Sequence, residues 1–216
     1  MSIQKAMFGV MCAGLLGGCT GVASPAQRVD IGKVFAVKST FGPDFHVTTA
    51  GPSGIDPKLL APQKLPEGMT FDPADCAKYA SGQTLPAGLQ GNMAAVSAEG
   101  QGNRFIAIAV ETSERVPFDA AAADTCKHVT FAGPNMHGVV DVVDSPHIDG
   151  AQTLGTHRQL STAVGTGEVY NYVAYLDDYL VVVTANPLVV PNQPTVPVNT
   201  QRAKDLLSAT VGAVRG

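Results

Sequence analysis

Two strand-like runs near residue 180 place the tightest constraint on the fold of this chain. Tyr170 to Leu176 and Tyr179 to Ala185 are apolar or β-branched, and only Asp177-Asp178 separates them. A link of two residues permits antiparallel pairing alone, because parallel strands need a crossover of about a dozen residues or more. The sequence therefore predicts an antiparallel hairpin here.

Further patterns extend this hairpin into a sheet. The runs at Asn92–Glu99 and Arg104–Thr112 flank a glycine-rich link, which predicts a second hairpin. Five shorter runs are also typical of strands: Lys33–Lys38, Phe45–Thr49, Val129–Phe131, Gly138–Val143 and Gln159–Val164. Residues 50–70 are rich in proline and glycine, and they predict a long loop.

Two short segments favour helices. Asp72 suits an N-cap and Pro73 suits the first helical position, so a helix is expected from there to about Ala80. Pro117 is expected to open a second short helix that ends at Cys126. Each predicted helix therefore carries one cysteine.

The chain ends in an amphipathic pattern that predicts a longer helix, capped by Asn199 or Thr200. Its expected inner stripe consists of Ala203, Leu206, Leu207, Thr210, Val211 and Val214. Strands and helices are segregated along the sequence, which favours the α+β class. We expect a single domain in which helices cover one face of an antiparallel β-sheet.

The first 19 residues have the pattern of an export signal. Lys5 is their only charge, and Ala6 to Leu16 is an uncharged, mostly apolar run. This run is shorter than the about 20 residues of a membrane-spanning helix and suits a cleaved signal peptide. Leu16-Gly-Gly-Cys19 resembles the bacterial lipobox, and the resemblance implies that lipid is attached to Cys19. An ordinary signal peptide with an accidental cysteine is the alternative.

Three parts of the chain follow from this reading. We expect residues 1–18 to be a lipoprotein signal peptide, 19–32 a lipidated flexible tether and 33–216 the globular domain. The expected location is the extracytoplasmic side of the cell membrane, which the chain reaches through its N-terminal lipid. The formal net charge is −4 and no basic stripe is present, so the sequence predicts no nucleic-acid partner.

Cysteine usage agrees with an exported protein. Cys12 belongs to the predicted signal peptide and Cys19 to the anchor, which leaves Cys76 and Cys126. A single pair in an exported chain is typical of a disulfide. Two separate buried thiols are the first alternative, and a metal site is the second.

Five features form a wider pattern: Leu16-Gly-Gly-Cys19, Asp72-Pro-Ala-Asp-Cys76, the helix that ends at Cys126, the strand pair near 170–185 and the terminal helix. Together they resemble small mycobacterial cell-envelope lipoproteins of unassigned function. More distantly, they resemble the extracellular sensor domain of a membrane Ser/Thr protein kinase. Over roughly residues 60–216, this resemblance implies an antiparallel sheet packed with helices, a groove for an unidentified ligand, and no catalytic residue.

Motifs of common enzymes do not occur in the sequence. No G-x-S-x-G elbow is present, and Gly51-Pro52-Ser53-Gly54 has the wrong spacing. Gly165-Thr166-Gly167 is too short for a phosphate-binding loop, and zinc-peptidase spacing is absent. We therefore expect neither a cofactor nor a nucleophilic active site.

One stretch combines imidazoles and carboxylates: His137, Asp141, Asp144, His147 and Asp149, with His157 beyond it. Such residues can bind a divalent metal or transfer protons. However, Asp144-Ser145-Pro146-His147 is typical of a turn that needs no ligand. The sequence favours a solvated loop and leaves a metal or catalytic cluster as the alternative.

Tyr170 and Tyr172 are candidates for a ligand-binding surface, because a row of tyrosines can stack on a ligand. Packing within the sheet is the competing interpretation, since half-buried strands are rich in tyrosine. The sequence therefore favours a non-catalytic binding or sensing module for a small molecule or envelope protein. An envelope enzyme that uses the His137–Asp149 cluster is one alternative, and a scaffold for a membrane complex is another.

Replacing the anchor cysteine tests the expected attachment. A Cys19→Ala chain should lose most of its partitioning into detergent from a phase-separated membrane extract, because it lacks the thiol that carries the lipid. A matched Cys12→Ala chain should partition like the wild type. Unchanged detergent partitioning of the Cys19→Ala chain would contradict lipid attachment at this position.

Overall fold

The computed structural model describes residues 29–55, 67–80, 89–191 and 193–216. Its strands are β1 (Phe45–Gly54), β2 (Thr70–Asp72), β3 (Gly91–Gly100), β4 (Asn103–Thr112), β5 (His128–Gly133), β6 (Met136–Val143), β7 (Gln152–Thr162), β8 (Gly165–Tyr175) and β9 (Tyr179–Pro187). They form one sheet in the order β1-β3-β4-β9-β8-β7-β6-β5-β2. Every neighbouring pair is antiparallel, which confirms the pairing and both hairpins predicted from the sequence.

Five helical segments accompany the sheet in the described residues: an N-terminal 3₁₀ helix (Ile31–Thr40), a 3₁₀ turn (Ala74–Cys76), α1 (Ala77–Ala80), α2 (Ala120–Thr125) and α3 (Thr200–Arg215). None of them is long and apolar enough to cross a membrane. Strands account for 47% of the structure and helices for 23%, so the fold is dominated by its sheet.

The prediction of a strand at Lys33–Lys38 is wrong, because this segment lies within the N-terminal 3₁₀ helix. Ile31, Val34 and Val37 recur at every third residue, which is the period of a 3₁₀ helix, and all three are buried. The side chain of Asp30 accepts a hydrogen bond from the Gly32 N–H at 3.0 Å. Burial of this three-residue stripe outweighs the β-propensity of the valines.

The main core lies between the central strands and two helical segments. The predicted inner stripe of α3 is confirmed, since all six of its residues are buried. These side chains and those of the N-terminal 3₁₀ helix pack on alternate residues of β3, β4, β8 and β9. The Asn199 side chain caps α3 by accepting a hydrogen bond from the Arg202 N–H at 3.0 Å.

Helices cover this sheet face only in part. The strand neighbours of α3 are β4, β8 and β9, and those of the N-terminal 3₁₀ helix are β1, β3 and β4. The expectation that helices cover a whole sheet face is therefore not confirmed. A sheet of nine strands is wider than the two helical segments that pack on it, so its outer part extends beyond them.

The predicted Cys76–Cys126 disulfide is present, with the two Cα atoms 5.7 Å apart. It lies on the opposite side of the sheet, in a cluster that includes Val129, Phe131 and Val140. The bond joins the 3₁₀ turn before α1 to the C-terminal end of α2. It therefore ties two short segments, which bury little surface of their own, to β5 and β6.

Both short helices begin later than expected. Asp72 is the last residue of β2 rather than an N-cap, because it pairs with Thr130 of β5. The second helix is capped by Asp119, whose side chain accepts the Ala122 N–H at 2.9 Å, and not opened by Pro117. Phe118 lies before that helix and packs on Tyr175, with 5.2 Å between the ring centroids.

Two other boundaries also differ. The expected loop at residues 50–70 begins inside β1, which continues to Gly54, and β2 starts at Thr70. Residues 56–66 of this segment lie outside the described residues. Strand β7 spans Gln152–Thr162 instead of Gln159–Val164, and Val164 lies in the following turn with 98% of its surface exposed. The first half of β7 is polar, so the sequence pattern did not indicate a strand there.

Removing the disulfide should lower the stability of the domain. A Cys76→Ser/Cys126→Ser variant is expected to lose about 4 kcal/mol in the chain-entropy model of a loop of this length. This loss corresponds to a fall in Tm of roughly 10 °C, measurable by calorimetry. A reducing agent should lower the Tm of the wild type but not that of the double variant. Equal Tm values for all four samples would contradict a stabilising role.

Candidate functional site

The outer strands β5 to β8 have one face that the disulfide cluster occupies and one that stays accessible. Val129, Phe131, Val140 and the partly buried Leu160 face the disulfide cluster. Because side chains alternate along each strand, the intervening residues lie on the opposite side. We call this side the open face, defined by His128, Thr130, His137, Asp141, His157, Gln159, Ser161, Glu168 and Tyr170. None of these nine residues is fully buried.

Strand register arranges four of these residues in a row. His128 on β5 is opposite Asp141 on β6, and Asp141 is opposite His157 on β7. His157 is in turn opposite Tyr170 on β8. Neighbouring strands are about 4.8 Å apart, so the four side chains form a continuous polar row across the sheet.

At the outer end of the row, His128 and Asp141 form a hydrogen-bonded pair. His128 Nδ1 lies 2.5 Å from Asp141 Oδ1. An ionised carboxylate can only accept hydrogen bonds, so the imidazole donates through Nδ1–H. The side chain of His128 is 64% exposed and that of Asp141 is 35% exposed, so this pair is accessible from solvent.

At the inner end, His157 is held by two neighbours. Its Nε2 lies 2.9 Å from Glu168 Oε2, and its ring stacks on Tyr170 with 4.0 Å between centroids and 5° between planes. Only 13% of the His157 side chain is exposed. Burial, reinforced by the charge of Glu168, raises the pKa of Tyr170 above its ordinary value. The phenol therefore stays neutral and can donate a hydrogen bond.

These contacts orient both imidazoles but place no nucleophile beside them among the described residues. Each histidine uses one ring nitrogen to bond a carboxylate, and no hydroxyl or thiol of the described residues hydrogen-bonds to either ring. A nucleophile would need such a contact with its base. The described residues also contain no group of three or more His, Cys, Asp or Glu side chains that could hold a metal ion. The row can offer directional hydrogen bonds to a polar ligand.

The His137–Asp149 cluster proposed from the sequence is not assembled. His137 is opposite Ser161, away from the row, and Asp144 binds Lys204 through a 3.1 Å contact. His147 and Asp149 approach each other to 3.3 Å in a loop where their side chains are 90% and 100% exposed. Asp144, His147 and Asp149 therefore lie in the exposed loop that the sequence favoured. Of the residues in the predicted cluster, only Asp141 belongs to the row.

Sequence reasoning missed His128 and Glu168 as members of the site. Neither residue stands in a recognisable motif, and each meets its partner only through strand register. His128 is thirteen positions from Asp141, and Glu168 is eleven positions from His157. A correct β5–β6 and β7–β8 register would have brought them together.

The two candidate tyrosines have different environments. Tyr172 is 1% exposed and lies in the main core, so it offers no accessible surface to a ligand. Tyr170 is partly exposed at the border between the main core and the open face. Of the two, only Tyr170 is placed to contact a ligand.

Comparisons with known proteins identify the family. The chain belongs to DUF5642, a family described as a domain of unknown function, whose model matches residues 30–215. No protein of curated function matches the sequence. Membership places the chain in a family without assigning it an activity.

Two solved structures are similar to the chain. An uncharacterised protein of Mycobacterium smegmatis, described as the Rv0999 ortholog, is 61% identical with a TM-score of 0.83, covering 87% of this chain and 98% of that one. The extracellular domain of PknH from Mycobacterium tuberculosis is 16% identical with a TM-score of 0.38, over 88% of this chain and 97% of that one. The expected resemblance to mycobacterial proteins of unassigned function is confirmed by the first of these structures.

The buried tyrosine generates a prediction about alkaline stability. Burial, followed by the nearby Tyr170 and Asp144, raises the pKa of Tyr172 from 10.0 to about 12. Because the folded-state pKa exceeds the unfolded value, the neutral phenol stabilises the fold fully below pH 10.0, and this contribution is lost as the pH rises towards 12. A Tyr172→Phe variant should therefore lose less stability than the wild type between neutral and alkaline pH.

Urea unfolding at neutral pH and near pH 11 measures this difference. At neutral pH, Tyr172→Phe should be close to the wild type, whereas Tyr172→Ala should lose about 3–5 kcal/mol because it leaves a cavity. If the alkaline loss is the same in Tyr172→Phe and the wild type, ionisation of this phenol does not contribute to it.

Proposed function

We propose that this protein is a lipid-tethered, extracytoplasmic module that binds a polar ligand or partner through its open face, without catalysis. The observation that carries this proposal is the row from His128 to Tyr170, which places two imidazole–carboxylate pairs side by side on a part of the sheet that no described helix covers. Fixed donors and acceptors of this kind orient a ligand.

Strand pairing within the sheet, and the disulfide on the face opposite the row, hold the strands of the site in place. The strands that carry the row are locked by continuous antiparallel pairing from β5 to β9. On the opposite face, Cys76–Cys126 holds α1 and α2 close to β5. A rigid support lowers the entropy that binding would otherwise cost. The stack of His157 on Tyr170 fixes the inner end of the row in the same way.

Limited access to one of the two imidazoles favours binding over turnover in this proposal. Only 13% of the His157 side chain is exposed and its ring is stacked on Tyr170, so a substrate has little access to it. The more exposed His128 and the neighbouring Thr130, Gln159 and Ser161 can each hydrogen-bond a ligand from the same side. A binding surface needs such groups, but it does not need a nucleophile.

The proposed tether agrees with the position of the first described residues. The Asp30 N–H donates to Val214 O at 3.3 Å, so the chain enters the domain beside the C-terminal end of α3. The link of about ten residues back to Cys19 can reach at most roughly 35 Å. Lipid on Cys19 would thus keep the domain close to the membrane. Cys19 itself lies outside the described residues.

Native mass spectrometry of the full chain, purified in detergent from a mycobacterial host, tests the proposed site. The wild type should carry a bound mass that is reduced about tenfold or more in His128→Ala/His157→Ala, because each lost hydrogen bond to a charged group is worth about 1.5–3 kcal/mol. Ser208→Ala, an exposed change on α3 away from the row, should retain that mass.

Two results would overturn the assignment. Undiminished binding by the double variant, with its Tm unchanged, would place the ligand elsewhere on the protein. Hydrolytic turnover that the wild type performs and the double variant loses would make the row a catalytic site instead of a binding site.

A further inference from the structure

The two edges of the sheet differ in how they are protected. At one edge, β2 is only three residues long and is followed directly by Pro73. At the other edge, β1 spans ten residues, and its register with β3 shifts between Ala50 and Ser53. The regular part of this edge is therefore Phe45–Ala50, which we call the β1 edge.

The register shift and Pro52 protect only the part of β1 beyond Ala50, and among the described residues no element covers the β1 edge itself. Edge strands are normally blunted by charged side chains, bulges or a covering element. No Asp, Glu, Lys or Arg occurs between Phe45 and Gly54. His46 and the three residues Thr48 to Ala50 are exposed. The β-branched residues at 47–49 also favour an extended backbone.

The hairpin between β3 and β4 fixes which backbone groups of β3 point towards β1. Gln101 and Gly102 form its two-residue turn with φ values of 50° and 76°. Gly100 and Asn103 close such a turn as a hydrogen-bonded pair, so even-numbered residues of β3 bond to β4 and odd-numbered residues bond to β1. The Ile55 N–H donates to Gly91 O at 3.2 Å, which agrees with this alternation because Gly91 is an odd-numbered residue of β3.

The same alternation determines which backbone N–H and C=O groups of β1 do not bond to β3. His46, Thr48 and Ala50 are opposite Glu99, Ser97 and Ala95, which are odd-numbered residues of β3. Their N–H and C=O groups therefore point towards β3. The N–H and C=O groups of the alternate residues, Val47 and Thr49, point away from the sheet. Within the part of the chain that the structure describes, these two donors and two acceptors have no backbone partner.

We infer that the β1 edge pairs with the β1 edge of a second copy of this chain, antiparallel and about a two-fold axis at Thr48. In this register Val47 exchanges both hydrogen bonds with the partner's Thr49, and Thr49 does the same with the partner's Val47. All four outward groups of Val47 and Thr49 on each copy are then bonded. A two-fold axis brings each edge against its own copy, and an edge without charges meets no repulsion there.

The two-fold axis makes Thr48 a self-paired position. Thr48 is opposite the partner's Thr48 in a non-hydrogen-bonded pair, where Cβ atoms are about 4.5–5.5 Å apart. The paired region is a short strand, smaller than the interface of about 1,200 Å² that stable complexes require. The association is therefore weak and depends on the local concentration of the chain. It extends one sheet across two molecules and leaves both open faces accessible.

Cysteine cross-linking of the full chain in membranes of a mycobacterial host tests the register. Under mild oxidation, Thr48→Cys should give a disulfide-linked dimer on a non-reducing gel, several-fold more than Ala50→Cys. Ala50 is the matched control because it is exposed on the same strand face, while in this register its two copies are about 13 Å apart, four residues along the strand. Both variants retain Cys76 and Cys126.

A second change blocks the pairing without touching the β3 ladder. Thr49→Pro removes an outward N–H and adds a ring at the edge, so Thr48→Cys/Thr49→Pro should lose the cross-link. Equal dimer from the two cysteine positions, or dimer that persists in the variant with the added proline, would overturn the proposal. So would a Thr48→Cys thiol that reacts with maleimide but forms no dimer, or that cross-links to a chain of different mass.

Discussion

Strand β9 is the element on which the rest of the structure depends. It is buried on both faces, with Val181, Val183 and Ala185 in the main core and Leu180 and Val182 in the core on the other side. Its two ladders, to β4 and to β8, join the β1-β3-β4 unit to the meander from β8 to β5. Without this pairing, each half of the sheet would expose an apolar edge. The pairing of β9 with β4 and β8 therefore joins the two halves into one sheet.

The width of the resulting sheet decides where polar chemistry can lie. The helices of the main core pack on the central strands, so no described helix covers this face of the outer strands β5 to β7. On that face, the polar groups meet each other across strands: Asp141 bonds His128, and Glu168 bonds His157. On the other face of the same strands, the disulfide and its apolar neighbours supply a second core. The proposed site thus consists of side chains that the helices cannot cover.

Sequence patterns predicted the elements whose periodicity is regular. The hairpins and the α3 stripe follow from alternation and from helical spacing, and both are confirmed. The N-terminal 3₁₀ helix was mistaken for a strand because its valines have β-propensity and its three-residue period is short. The predicted start of β7 lies too far along the chain, because the first half of this strand, including Thr156 and His157, is polar and only partly buried. In these cases tertiary burial overrides local preference.

The sequence by itself determined the antiparallel pairing of both hairpins, the inner face of α3 and the pairing of Cys76 with Cys126. Each depends on local spacing or on the number of cysteines, and such constraints act whatever the rest of the chain does. Only the tertiary structure decided that His128 meets Asp141 and that His157 meets Glu168 and Tyr170. Those contacts depend on the register of the β5–β6 and β7–β8 hairpins, whose two-residue turns lie at 134–135 and 163–164. The sequence did not locate these turns, and a slip of one residue would turn every side chain to the other face.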